Sequence, residues 1–104
     1  MDSKYAVILT TCANDIDAKI IIDSLLNKRL AACIQLFHVN SYYTWKGSVA
    51  NDTESILFIK CKSEDYKEIE ADIIINHKYE TPEIIKLPIT DGYQDYMRWI
   101  EEVT

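Results

Sequence analysis

The chain has 104 residues, 48% of them hydrophobic and 27% charged, which suits one domain over residues 1–104 and argues against a disordered or membrane-embedded polypeptide. Its formal net charge of −6 and its scattered basic residues argue against a general affinity for nucleic acid, which rests on clustered Lys and Arg. No apolar run approaches the ~20 residues of a membrane span.

Residues 5–12 form an almost unbroken apolar and β-branched run, which predicts a strand covered on both sides or placed centrally. Asn14 or Asp15 can cap the next segment, where Ile16, Ile20, Ile21, Leu25 and Leu26 recur at helical spacing and Asp17, Lys19, Asp23 and Lys28 supply a polar face. A second strand is expected over 30–39, continued by Tyr42, Tyr43 and Trp45 up to a turn at Lys46-Gly47-Ser48. Residues 51–54 read as a polar loop, and 55–61 as the returning strand. Ser63 is the expected cap of a second helix that carries Tyr66, Ile69 and Ile73 on one face and ends near His77. Pro82 and Pro88 bracket a short edge strand over 83–87, since proline cannot donate to a ladder. Tyr96, Trp99, Ile100 and Val103 then close the chain with a short helix. The order βαββαβ with an additional C-terminal helix predicts an α+β, ferredoxin-like sandwich with its helices on one face of an antiparallel sheet. That arrangement hosts many functions, so the side chains must decide.

Three cysteines, Cys12, Cys33 and Cys61, are odd in number and far apart, and residues 1–4 lack the apolar core of a secretory leader. A reducing, cytoplasmic setting is therefore expected. With two glycines, Gly47 and Gly92, there is no phosphate-cradling loop, and no nucleophile elbow or H-E-x-x-H motif occurs, so neither an enzyme nor an organic cofactor is expected. Cys12 stands at the end of the first strand and just before a helix N-terminus, whose dipole would favour a thiolate able to hold a soft metal; the competing reading is a buried small hydrophobe. Cys33 and Cys61 sit within apolar strands and read as core. His38 reads as a strand residue. His77, at the end of the second helix near Glu80 and Glu83, can meet a cation with a carboxylate or simply favour the helix dipole. Tyr42, Tyr43 and Trp45, on a protruding hairpin, read as an interface with another subunit.

Several segments together resemble the CutA divalent-cation-tolerance family: Leu30-Ala31-Ala32-Cys33, the hairpin residues 41–49 with Trp45-Lys46-Gly47, residues 54–62, and His77-Lys78-Tyr79-Glu80-Thr81-Pro82-Glu83 with the residues up to Ile89. The likeness runs from about Ala6 to Ile100. It implies a homotrimer with hairpins pairing across subunits and clefts between neighbours, tolerance of divalent metals, particularly copper, and metal ligands at the positions of Cys12 and His77, with Glu83 lining the same cleft. In a bacterial relative two consecutive histidines are linked with copper; here Asn76 stands at the first position and His77 at the second. Lys78 stands where the family usually has proline. The alternative expectation is a signalling or scaffold trimer that receives a small molecule or a partner protein without a physiological metal.

Overall fold

The computed structural model describes residues 3–104. The first strand, β1 (Tyr5–Cys12), leads into helix α1 (Asp15–Asn27), whose entry is capped by the Asn14 side chain accepting from the Asp17 N–H at 2.9 Å. α1 stops because Arg29 adopts a left-handed conformation (φ 56°) while its N–H reaches the Leu26 carbonyl and the Leu30 N–H the Leu25 carbonyl. This pair of bonds closes a helix C-terminus in the Schellman manner, with arginine at the position glycine usually fills. The second strand, β2 (Cys33–Trp45), consequently begins three residues later than expected, and the apolar residues Leu30 and Ala31 pack into the core from the connector.

β2 turns back at Lys46 and Gly47, both at positive φ (49° and 78°), the geometry of a tight two-residue hairpin whose twist matches its strands. The returning strand, β3 (Ser48–Lys62), starts at once and absorbs residues 51–54, which the sequence suggested were a loop. Asn51, Asp52, Thr53 and Glu54 stand opposite Tyr42, Ser41, Asn40 and Val39; the turn dictates this register, and solvent accepts the side chains of Asn51, Asp52 and Thr53 on the outlying ribbon, while Glu54 is buried.

Ser63 begins a single 3₁₀ turn (Ser63–Asp65) rather than capping a helix. Its hydroxyl is buried without a partner among the described residues, while its N–H is held by the Lys4 carbonyl at 2.9 Å. Helix α2 (Tyr66–Asn76) follows, then β4 (Ile85–Ile89), shifted by two residues from its expected place. The shift sets Ile85, Leu87 and Ile89 opposite Leu9, Val7 and Tyr5, and β4's place at the sheet edge tolerates Pro88. Helix α3 (Gln94–Val103) closes the chain, with Ile100 fully buried.

The four strands form one antiparallel sheet in the order β2-β3-β1-β4, the predicted ferredoxin-like arrangement. Ala6, Ile8, Leu57, Ile59 and Cys61 bury one face against Ala18, Ile21 and Leu25 of α1 and Ile69 and Ile73 of α2. Because side chains alternate along a strand, the register puts Val7, Leu9, Ile56, Phe58, Phe37, Ile85 and Leu87 on the opposite face. Phe37 and Phe58 stack there at 4.7 Å, yet Phe37, Ile85 and Leu87 remain about half exposed. Ile8, fully buried under both helices, tests the core: Ile8→Ala should cost about 2–5 kcal/mol, read from denaturant unfolding at one fixed protein concentration.

Candidate functional site at the end of the first strand

Two chain reversals bring the site together. β1 ends on the Cys12–Ser55 rung, with the Cys12 side chain 1% exposed toward the helix layer. α2 ends at Asn76, and the next residue, His77, turns extended (φ −80°, ψ 140°) while its N–H still bonds the Ile73 carbonyl at 2.8 Å. The imidazole thereby returns to the sheet. Its Nε2 lies 2.9 Å from the Thr11 carbonyl oxygen and 3.9 Å from Cys12 Sγ, and its Nδ1 is 3.1 Å from the Tyr79 backbone nitrogen. The polarity of both backbone partners is unambiguous. A carbonyl only accepts and an amide N–H only donates, so Nε2 carries the ring proton and Nδ1 the lone pair.

Tyr79 extends the network. Its ring lies 4.9 Å from that of His77, and its hydroxyl donates to Glu54 Oε2 at 2.7 Å. Glu54 is 8% exposed and adjoins Ser55, the strand partner of Cys12. Burial, reinforced by Asp17 and Glu54, pushes the Cys12 thiol up to about 11. Burial also lowers the pKa of His77, against the raising influence of the Thr11 carbonyl, Asp17 and Glu54. At neutral pH the pair is therefore a thiol beside a neutral imidazole. Of the two readings of Cys12, the buried thiol is the one seen: no thiolate forms, because the sulfur is removed from water and the charges of Asp17 and Glu54 oppose the helix dipole.

Of the expected ligands, Cys12 and His77 meet, although 65 residues separate them. Glu83 is exposed in the segment before β4, and among the described residues no three His, Cys, Asp or Glu side chains gather where they could hold an ion. Glu54, the carboxylate that Tyr79 joins to the pair, was concealed in the polar run 51–54; its signal is its place immediately before the apolar run that pairs with β1. Asn76 is committed elsewhere, its Nδ2 donating to the Asp72 carbonyl at 2.9 Å and to Ser24 Oγ at 3.4 Å. His38 pairs with Asp15 Oδ1 at 2.9 Å, an oxygen that also accepts from Ser55 Oγ at 2.6 Å. Cys61 is fully buried and Cys33 partly so. Tyr42, Tyr43 and Trp45 all lie on the outlying ribbon with 70%, 41% and 62% of their surface exposed.

The family model of the CutA1 divalent ion tolerance protein matches residues 6–103. The chain belongs to the CutA1 family. Among its relatives, the "Divalent-cation tolerance protein CutA" of Archaeoglobus fulgidus is 35% identical over 86 residues, covering 83% of this chain and 84% of its own. The "Protein CutA homolog" of Danio rerio is 35% identical over 99 residues, which is 94% of this chain but 66% of the fish protein, so the chain spans about two thirds of that relative's length. The solved CutA1 of Shewanella sp. SIB1 superposes with a TM-score of 0.95 at 35% identity, covering 100% of this chain and 98% of that one. For the Archaeoglobus structure the TM-score is 0.93 at 32% identity, with 95% and 97% covered. The latter is described as periplasmic and an Arabidopsis thaliana relative as chloroplastic.

The protonated, buried state of Cys12 has a direct readout. Site-resolved mass spectrometry of iodoacetamide labelling should find Cys33 modified first at pH 7. Labelling of Cys12 should climb with pH toward a midpoint near 11, since only the thiolate attacks.

Proposed function

We propose that this CutA1 protein is a homotrimeric, metal-responsive binder that takes copper or another divalent ion beside Cys12 and His77, in a cleft between protomers. The observation that carries this reading is the 3.9 Å approach of Cys12 Sγ to His77 Nε2. A sulfur and an imidazole nitrogen suit copper and its neighbours, whereas magnesium and calcium prefer oxygen. Two donors from one protomer leave a coordination set incomplete, which favours a site shared between chains, and the exposed Glu83 is available to such a cleft. Binding replaces the thiol proton, so uptake releases protons.

Assembly draws support from the apolar sheet face centred on Phe37 and Phe58 and from the exposed rings of the ribbon, surface that single soluble chains seldom leave open. Three unpaired cysteines agree with a reducing, cytoplasmic setting. No helix among the described residues is long and apolar enough to cross a membrane.

Anaerobic copper titration followed by native mass spectrometry tests the site. The reduced protein should bind ion that a Cys12→Ala, His77→Ala double variant does not, and equal uptake by the two would refute the assignment. Sedimentation velocity tests the assembly: the protein should travel as three chains, and Phe37→Asp, which sets a charge on the open apolar face, should shift it toward single chains.

A further inference from the structure

The hydrogen bonds of His77 create a conflict with ion binding. To coordinate through Nε2, a neutral imidazole must hold its proton on Nδ1. In this fold Nδ1 faces the Tyr79 N–H at 3.1 Å, so the two N–H groups would point at each other. The ring is also tied through Nε2 to the Thr11 carbonyl. What keeps the Tyr79 backbone in place is its own side chain, whose ring rests against His77 and whose hydroxyl is bonded to the nearly buried Glu54 on β3.

We infer that Tyr79 and Glu54 are positioning residues that hold His77 in the tautomer closed to metal, so that an ion is admitted only when the 77–79 turn withdraws from Nδ1. This rests on the assignment of Cys12 and His77 as ligands, and goes further by making their availability depend on a hydrogen bond to a different strand. The partners around an imidazole commonly fix its tautomer and orientation in metal sites; here they fix the arrangement opposed to Nε2 coordination. Opening the turn frees Nδ1 to carry the proton that Nε2 gives up, with solvent relaying it.

The experiment uses metal-free protein first. Nitrogen-15 NMR of the His77 ring at neutral pH should show the Nε2–H tautomer alone in the wild type. Glu54→Gln, which keeps an acceptor for the Tyr79 hydroxyl, should match it. Tyr79→Phe and Glu54→Ala remove the same bond from opposite ends, and in both the Nδ1–H tautomer should appear. Anaerobic uptake of Cu(I) from a bicinchoninate complex should then quicken by about tenfold, the scale of one lost hydrogen bond. A pure Nε2–H ring and wild-type uptake in both variants would overturn the inference. Tautomer mixing in proteins that all fail to take Cu(I) would overturn both Cu(I) admission and the assignment of Cys12 and His77 as copper ligands, while leaving the hydrogen-bond lock on His77 intact.

Discussion

Because β3 runs for 15 residues and β1 for only 8, the ladder between them stops at the Cys12–Ser55 rung, while the ladder between β2 and β3 continues to Trp45 and Ser48. The sheet is thus four strands deep at one end and a bare two-stranded ribbon at the other. A ribbon of that kind has little stability in water by itself. It persists here because the same strand is anchored between β1 and β2 under two helices, and because its tip is the tight turn at Lys46 and Gly47. The exposed aromatic side chains along it follow from the same inequality of length.

The candidate site occupies the step where that inequality begins. Cys12 is the last residue of the short strand, Ser55 its partner, and Glu54 the first residue of the ribbon beyond. A side chain at this step has sheet on one side and no third strand on the other, leaving room for α2's final residue and the 77–79 turn to fold over the open rung. Burial of Cys12 and Glu54 depends on that cover. So does the uncharged state of the thiol, whose attached strand end would otherwise meet water.

Much of this was legible from residue order. The apolar run of β1, the cap at Asn14, the turn at Gly47 and the end of α2 near His77 are local signals, and the ferredoxin-like topology follows from their sequence. Cys12 and His77 were identifiable because each stands where an element ends. Three things were not legible. The polar residues 51–54 look like a loop until their partners, Val39 to Tyr42, are known, and that pairing is set by the hairpin turn. The protonation of Cys12 depends on burial by residues some 65 positions away and on Asp17 opposing the helix dipole. The place of Glu83 against Glu54 depends on where β4 begins, and that is decided by which side chains fit opposite Leu9, Val7 and Tyr5.

The ribbon has one property that its chemistry alone does not convey: it is a ruler with a parity. Each residue advances about 3.4 Å and reverses the side-chain direction. Lengthening both arms by two residues would carry the tip about 7 Å outward with every ring still on its original face. Lengthening both by one would send Tyr43 and Trp45 to the side now held by Tyr42 if the insertion lay at the ribbon's base. Natural variation in this hairpin is therefore expected to come in steps of two residues per arm, so that the reach of the protomer can change while the identity of the surface it offers does not.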